Sequence, residues 1–291
     1  MTGGPPPGAV GLVMVTRDRR RRALATLDRL AELPERPPTV VVDNGSSDGT
    51  PAAIARRHPG VRVIELARNA GSAARTLGVR ALDTPLVAFS DDDSWWEPGA
   101  LARAEGAFAD HPRLALVQGR ILVGADRRLD PVCEAMRHSA VPARAGLPGP
   151  AVLGFLACGA VVRRTAFLSV GGFHPRFGVG GEEELLALDL AAGGWELAYL
   201  DALVAHHHPQ LTDGRAGRPD TQLRNALWVA WLRRRPAGAL ATTTRLAATA
   251  LRERRLGGLA AAARGVPWVV RERRPVPPSV ERACRALDGS R

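Results

Sequence analysis

Strand-like and helix-like patterns alternate three times across residues 10–89, and this alternation is the strongest constraint on the fold. Short apolar runs typical of buried strands are separated by stretches in which leucine or alanine recurs at helical spacing. The strand-like runs cover residues 10–16, 40–42, 61–66 and 86–89. Such alternation predicts an α/β fold in which a mostly parallel sheet is flanked by helices. Sheets of this kind bind ligands at the carboxyl ends of their strands.

Acidic and turn-forming residues collect where two of the predicted strands end. The second strand leads into Asp43 and a segment dense in turn formers, and the fourth leads into Asp91, Asp92 and Asp93. Carboxylate oxygens suit Mg²⁺ or Mn²⁺, which commonly bridge to the phosphates of a bound nucleotide. The cluster therefore predicts a divalent metal at this edge of the sheet. The alternative is an Asp-rich turn that only caps a helix.

Beyond residue 98 the pattern loosens, and a second acidic cluster begins a later helix. The predicted elements are a helix over 99–109, a strand over 114–123, a loop over 138–150 and a strand over 195–200. Glu182, Glu183 and Glu184 open the helix that ends near residue 192. Acids in a first turn stabilise a helix by ~0.3–1 kcal/mol each, so capping explains one or two of them. Three in a row exceed what capping needs.

The C-terminal part of the chain is strongly basic. The formal net charge is +11, but residues 1–214 hold 23 Arg and 24 acids, whereas residues 215–291 hold 17 Arg and 5 acids. Apolar residues recur there at helical spacing, so we expect a main domain over 1–214 and a basic helical extension over 215–291. Such helices bind an anionic membrane surface, form a homodimer or pack against their own domain, and the sequence leaves these options open.

The spacing of the cysteines and the hydropathy of the chain indicate the cellular compartment of the protein. Cys133, Cys158 and Cys284 are widely separated, which indicates neither a disulfide framework nor a zinc site. The N-terminus lacks the pattern of a secretory signal, and no apolar run reaches the ~18 residues that span a bilayer. We therefore expect a cytoplasmic protein, either soluble or peripheral at the inner face of the cell membrane.

Five motifs in one order resemble those of the family 2 inverting glycosyltransferases, over roughly residues 9–210. They are Val-Asp-Asn-Gly-Ser-Ser-Asp-Gly-Thr (42–50), Asn-Ala-Gly-Ser-Ala-Ala-Arg (69–75), Asp-Asp-Asp-Ser-Trp-Trp-Glu-Pro-Gly-Ala-Leu (91–101), Gly-Gly-Phe (171–173) and Gly-Glu-Glu-Glu-Leu (181–185). No single motif is decisive, but five in order are hard to reach by chance. The resemblance implies a GT-A fold, which is a Rossmann-like nucleotide-sugar-binding sheet. It also implies sugar transfer from a nucleoside-diphosphate donor to an acceptor hydroxyl, with inversion.

The resemblance implies that the aspartate triplet fills the position whose carboxylates hold Mn²⁺ or Mg²⁺ against the donor diphosphate. Asp93 is the expected direct ligand, because three adjacent strand-end carboxylates cannot all face one ion. Asp91 is expected to help hold the metal, and Asp91 and Asp92 to contact the ribose or metal-bound water. His206 matches a position at which the family often has a metal-coordinating histidine.

The resemblance also implies a set of donor-binding residues. Thr16, Asp43 and Asn69 match positions that line the nucleotide pocket in such enzymes. For Thr16 and Asn69, simple strand-end or turn hydrogen bonding is the alternative. Gly159 matches a glycine whose missing side chain lets the backbone approach the donor sugar, and its alternative role is a strand kink.

Inverting transfer needs a base that takes the proton of the acceptor hydroxyl. The segment 181–183 matches the family's x-Glu-Asp motif, which places the base at Glu183, where the family more often has Asp. Because three glutamates are consecutive, Glu182 and Glu184 remain alternatives. Leu185 replaces a commonly acidic position, so the contact made by that acid is in question.

Two rival functions fit the sequence less well. Sugar-phosphate nucleotidylyltransferases use a related sheet, but they need a glycine-rich N-terminal loop that residues 10–22 lack. A non-catalytic basic protein that binds nucleotides or nucleic acid would use the carboxylates only as caps, yet these acids stand where nucleic acid would have to approach. We therefore expect no nucleic-acid partner. The acceptor is unidentified, with a lipid-linked sugar or an envelope glycan as the options.

Overall fold

A computed structural model describes residues 8–209 and 218–289 of the chain. Across these residues it has nine strands: β1 (Val10–Thr16), β2 (Thr39–Asp43), β3 (Arg62–Glu65), β4 (Leu86–Asp91), β5 (Ser94–Trp96), β6 (Leu114–Val123), β7 (Arg128–Leu129), β8 (Ala160–Arg163) and β9 (Glu196–His207). All nine join one sheet in the order β3-β2-β1-β4-β8-β6-β9-β5, and β7 pairs with β6 at the side. The α/β fold predicted from the sequence is confirmed.

Helices surround this sheet and form the C-terminal part of the chain. The α-helices are α1 (Arg20–Ala31), α2 (Thr50–Arg57), α3 (Ala74–Arg80), α4 (Ala100–Asp110), α5 (Pro131–Arg137), α6 (Arg164–Ser169), α7 (Glu182–Ala192), α8 (Arg218–Arg233), α9 (Pro236–Arg252), α10 (Leu256–Arg264), α11 (Val266–Arg271) and α12 (Pro278–Gly289). Two short 3₁₀ turns, Gly71–Ala73 and Ala157–Gly159, stand beside the sheet edge. Helix α3 packs on β1 and β2, and α4 packs on β6 and β9.

The parallel half of the sheet brings three strand ends together. β1 pairs in parallel with β2 and β4, so that Thr16 lies opposite Asp43 and Val15 lies opposite Asp91. Beyond β4 the sheet is mixed, because β8 runs antiparallel between β4 and β6. The carboxyl ends of β1, β2 and β4 therefore share one edge, as the strand-helix alternation predicts.

The core forms because strand and helix side chains interleave on the sheet. The leucines at three-residue spacing near the N-terminus are in α1, where Leu27 and Leu30 are buried. Burial of each such side chain contributes about 1.5–3 kcal/mol. Gly78 lets α3 lie close to the sheet, because a Cβ atom there would be 2.5 Å from the Val13 side chain.

The C-terminal helices build a second apolar cluster that packs against the first part of the chain. Leu223 and Trp228 of α8 join Leu185 of α7 in this cluster. Across the same contact, Nη2 of Arg233 is 3.0 Å from Oδ2 of Asp189. Packing against its own domain, one of the options left open by the sequence, is therefore what the extension does. The expected boundary at residues 214 and 215 lies outside the described residues.

Within residues 8–209 and 218–289, no helix combines the length and the apolar character needed to cross a bilayer.

Candidate active site

A cavity of about 1350 Å³ opens at the carboxyl edge of the parallel strands. Its wall also includes the loop at residues 174–181 and the first residues of α7. It brings together six of the predicted site residues, which are Thr16, Asn69, Asp91, Asp92, Asp93 and Glu183. Asp93 and Glu183, which are far apart in the sequence, thus face one shared space.

Asp93 lies in the turn between β4 and β5 and faces His207 at the end of β9. Oδ1 of Asp93 is 3.4 Å from Nε2 of His207, and its Oδ2 is 3.7 Å from Nη1 of Arg22. Burial disfavours the charged imidazole, but the hydrogen bond and the charge of Asp93 outweigh it and raise the pKa of His207. The pair therefore places a carboxylate and an imidazole side by side in the cavity.

His206 lies outside the cavity lining, which corrects the prediction that it stands beside the metal cluster. Its Nε2 is 3.1 Å from Oε1 of Glu97, and its ring stacks on Trp95 with centroids 5.3 Å apart. Neighbouring residues of a strand point to opposite faces, and β5 pairs Trp95 with His206. The pairing with β5 fixes which face of β9 carries each histidine. The alternation of side chains along β9 alone does not reveal it. His207, for which the sequence predicts an exposed or partner-facing position, is the histidine in the cavity.

Arg75 connects the aspartate cluster with the glutamates of α7. Its Nη2 forms an ion pair with Oδ1 of Asp91. Burial opposes the charge of Arg75, but Asp91, Glu183 and Glu182 together raise its pKa. Sequence reasoning recorded Arg75 only as the last residue of a motif. Its place at the second position of α3, directly after the Gly71–Ala73 turn, is the signal that points to the site.

Asp92 is a largely buried residue of the cavity lining and ties β1 to the end of β4. Its Oδ2 accepts a hydrogen bond from Oγ1 of Thr16 at 2.9 Å, and its Oδ1 pairs with Nη1 of Arg19 at 3.0 Å. Burial raises the pKa of Asp92 to about 6, although both partners favour the ionised form. The hydrogen bond between Thr16 and Asp92 thus fixes both side chains at the strand ends.

The three consecutive glutamates occupy different environments. Glu182 and Glu183 line the cavity, whereas Glu184 is exposed on α7 and is not part of the lining. Oε1 of Glu183 accepts a hydrogen bond from the backbone N–H of Ala157 at 2.6 Å. Burial, reinforced by the charge of Glu182, raises the pKa of Glu183 to about 8. Oε2 of Glu182 is buried without a hydrogen-bond partner among the described residues.

The side of the cavity near β2 is lined by asparagines. Asn69 accepts a hydrogen bond from the N–H of Gly71 at 2.8 Å, and Asn44 accepts one from the N–H of Ala70 at 2.7 Å. Asp43 is not in the lining, because its carboxylate accepts hydrogen bonds within its own turn. The residue that lines the cavity at this strand end is therefore the neighbouring Asn44. Sequence reasoning missed it, although it directly follows the strand.

Gly159 lies behind the cavity wall and is not part of its lining. A Cβ atom there would be 2.6 Å from Cγ1 of Ile121 and 2.8 Å from Nε2 of Gln118. Glycine is therefore needed for close packing on β6, and its close approach to the donor stays a prediction. The same 3₁₀ turn carries Ala157, whose N–H binds Glu183.

The side chains of Asp93 and His207 stand close enough together for one divalent ion to contact both. Within residues 8–209 and 218–289, no group of three or more His, Cys, Asp or Glu residues is placed to hold a metal ion. The 3.4 Å between Oδ1 of Asp93 and Nε2 of His207 is a separation that two ligands of one ion, each about 2.1 Å from it, can have. These two residues therefore fit an ion that a bound phosphate would help to coordinate.

Solved structures share the fold of this chain. The mannosyltransferase PcManGT from Pyrobaculum calidifontis, in complex with GDP-Man and Mn²⁺, aligns with a TM-score of 0.61 at 19% identity, over 99% of this chain and 88% of that chain. The 1–349 portion of S. aureus TarS in complex with UDP-GlcNAc aligns with a TM-score of 0.62 at 14% identity, over 76% and 65% of the two chains. At these identities the likeness shows the fold alone.

Sequence comparison extends the match to a family. An N-acetylglucosaminyl-diphospho-decaprenol L-rhamnosyltransferase of Mycobacterium tuberculosis (strain CDC 1551 / Oshkosh) is 28% identical over 215 residues, which cover 62% of this chain and 70% of that protein. Residues 12–171, more than half of the chain, match the sequence model of Glycosyl transferase family 2. The chain, with its GT-A sheet and the carboxylate-lined cavity at the strand ends, therefore belongs to glycosyltransferase family 2.

Proposed function

We propose that this protein transfers a sugar from a nucleoside-diphosphate donor to an acceptor hydroxyl, with inversion at the anomeric carbon and with a divalent metal. The observation that carries the proposal is the shared cavity of Asp93 and Glu183. A cation site and a separate carboxylate base are what such a displacement requires. Similar folds solved with GDP-Man and with UDP-GlcNAc support a nucleotide sugar as the donor.

Asp93 and His207 are the residues proposed to hold Mn²⁺ or Mg²⁺, with the donor diphosphate as a further ligand. The bound ion would neutralise charge on the departing diphosphate. Because Asp91 shares its carboxylate with Arg75, we assign it to the ribose or to metal-bound water. Arg75 adds a fixed positive charge on the same side of the cavity.

Glu183 is the proposed base. It removes the proton of the acceptor hydroxyl while the acceptor oxygen bonds to the anomeric carbon. The bond from that carbon to the diphosphate breaks on the opposite face, and the electron pair leaves with the diphosphate. The hydrogen bond from Ala157 orients the carboxylate, and a pKa of about 8 suits proton abstraction near neutral pH.

The base assignment is tested with three single variants. Glu183→Gln should reduce turnover by about 10²-fold or more and leave donor binding nearly unchanged, because the amide keeps the shape but cannot accept the proton. Glu184→Gln, on the exposed side of the same turn, is the matched control. Retention of turnover within a few-fold in Glu183→Gln, with loss in Glu182→Gln, would move the base to Glu182.

Donors are identified by thermal shift with nucleotide sugars, with and without Mn²⁺.

For the acceptor we propose a lipid-linked diphosphate sugar. The name of the mycobacterial relative describes transfer onto N-acetylglucosaminyl-diphospho-decaprenol, which supports this class. The surface of the C-terminal extension supports it as well. In the described part of the chain, six of the nine exposed large apolar side chains lie in the extension, namely Trp231, Leu240, Leu251, Leu256, Val266 and Val270.

Helices α9 to α11 are the proposed contact with an anionic membrane surface. Leu240 and Leu251 lie on one side of α9 at helical spacing and are 60% and 62% exposed. Exposed arginines on the same helices, Arg245, Arg252, Arg264 and Arg271, supply charge that attracts anionic lipid. We expect flotation with phosphatidylglycerol vesicles but not with phosphatidylcholine vesicles. Leu251→Ser combined with Val270→Ser should reduce flotation, Val132→Ser is the control, and equal flotation of all proteins would contradict the proposal.

A further inference from the structure

Helix α8 of the C-terminal extension builds one wall of the cavity. Gln222 and Arg224 are among the lining residues. Asn225 is fully buried, and its Nδ2 donates hydrogen bonds to the carbonyl oxygens of Phe177, at 2.9 Å, and Gly180. The extension therefore fixes the loop at residues 174–181 and also contributes side chains to the site.

Two arginines in this wall rest on tryptophans of the extension. The guanidinium carbon of Arg224 is 4.4 Å from the centroid of the Trp228 ring, and that of Arg176 is 5.2 Å from the centroid of Trp268. The two tryptophan rings meet edge to face with centroids 5.1 Å apart. This packing holds both cations in place before a ligand arrives.

Neither arginine forms an ion pair with a carboxylate of the described residues. Arg224 donates to Oδ1 of Asn225 at 3.0 Å and to the carbonyl oxygen of Phe177 at 3.3 Å, which are both neutral acceptors. Burial lowers the pKa of Arg224, so its charge is partly desolvated without compensation. Three other arginines with little exposure are neutralised, in the ion pairs Arg75–Asp91, Arg233–Asp189 and Arg234–Glu281, whereas Arg163, which is not in the cavity lining, donates to backbone carbonyl oxygens. An anion in the cavity would neutralise Arg224.

Apolar surface stands next to these two cations. Val179 and Pro175 are exposed on the same loop and line the same cavity, and Val179 is 50% exposed. The loop leads directly into α7, whose first turn carries Glu183. The group that accepts the proton must touch the acceptor, so this wall borders the acceptor and not only the donor. A ligand with an anionic group beside an apolar chain matches both features.

We propose that Arg176 and Arg224 bind the diphosphate of a prenyl-linked acceptor, whose first isoprene units lie against Pro175 and Val179. The proposal rests on the sugar-transfer function above, because it assigns the acceptor side of that same cavity. It also makes the basic extension part of the acceptor site.

The test is calorimetric titration of the full chain with geranyl diphosphate. The titration contains Mn²⁺ and a saturating amount of whichever of UDP, GDP or dTDP stabilises the protein most, so that the donor side is filled. We expect geranyl diphosphate to bind under these conditions and inorganic pyrophosphate to bind about tenfold or more weakly, since it lacks the apolar chain. Arg224→Ala and Arg176→Ala should each weaken geranyl diphosphate binding about tenfold. Arg56→Ala, which removes an exposed arginine on α2 outside the cavity lining, should change it by less than about twofold.

Three results would overturn the inference. Displacement of geranyl diphosphate by the nucleoside diphosphate would place both ligands in the donor site. Equal binding of pyrophosphate and geranyl diphosphate would indicate a site for free phosphate. Wild-type affinity in the arginine variants would show that these side chains do not bind the diphosphate. The Arg176→Ala variant tests this even if Arg224→Ala fails to fold, because the Arg176 side chain is exposed and is not needed for folding. Failure of the sugar-transfer proposal is seen separately, as the absence of sugar transfer by the wild-type protein from any nucleotide sugar that stabilises it.

Discussion

The protonation state of Glu183 should control the pH dependence of the reaction. Burial and the charge of Glu182 hold its pKa near 8, so in the free protein the carboxyl group is mostly protonated below that pH. The proposed base must be ionised to accept a proton. We therefore expect kcat/KM to rise about tenfold per pH unit below 8 and to level off above it. A profile that stays flat between pH 6 and 8 would argue against Glu183.

The same group links pH to stability. Its folded pKa of about 8 exceeds its ordinary value of 4.5, so between these values the folded state binds more protons than the unfolded state. The free energy of unfolding contributed by Glu183 therefore falls as pH rises through this window. Glu183→Gln removes the titration, and we expect its melting temperature to fall less than that of the wild type between pH 5 and 8.5. Equal falls in both proteins would contradict the raised pKa.

The two neighbouring histidines should separate clearly in metal dependence. His207 faces Asp93 in the cavity, whereas His206 is held by Glu97 and Trp95 outside it. We expect His207→Ala to raise the Mn²⁺ concentration that gives half-maximal activity by about tenfold or more. His206→Ala is the matched control and should leave this concentration nearly unchanged while lowering the melting temperature. The opposite ranking would return the metal to His206.

At the scale of elements, the sequence predicted those whose pattern is local. The strand at residues 10–16 and the strand at 114–123 have the predicted bounds, because mostly apolar runs mark both, although Gln118 and Arg120 interrupt the second. Alanine and glycine over residues 69–82, between the third and fourth strands, predict a helix there, but it begins with a 3₁₀ turn, since Gly71 has φ +61° and packs against Gly178. That contact joins segments far apart in the chain, so the local spacing of residues cannot predict it. The face of β9 that carries His207 could not be predicted either, because it depends on the pairing of β9 with a distant strand.

The loop at residues 174–181 depends on α8, and this dependence can be measured. Asn225→Ala removes the amide that binds the carbonyl oxygens of Phe177 and Gly180. Buried acceptors left without a donor lower the free energy of unfolding by about 1–3 kcal/mol, and the loop next to Glu183 loses its support. We expect denaturant unfolding to show this loss and kcat to fall. Thr244→Ala on exposed α9 is the control, and an Asn225→Ala protein with unchanged stability and kcat would show that α8 does not position the loop.

At the scale of the whole molecule, the sequence predicted carboxylates that line the cavity and missed the residues around them. The aspartate triplet and Glu183 were predicted as site residues because clustered acids at strand and helix ends have a local signature. Arg75, Asn44 and Arg224 were not assigned roles, because arginine and asparagine are common on any surface. Their place in the cavity follows from pairing between strands and from docking of the extension, which are contacts at long range.

The extension and the main domain should not be separable by truncation. Leu185 and Phe177 belong to the same apolar cluster as Trp228 and Leu227, so removal of residues 215–291 would expose them to water. It would also remove Asn225 and the wall of the cavity formed by α8. We expect residues 1–214 alone to aggregate or to unfold without a cooperative transition, because burial of each such side chain contributes about 1.5–3 kcal/mol. A truncated protein that unfolds cooperatively and binds the donor as the full chain does would make the extension an independent appendage.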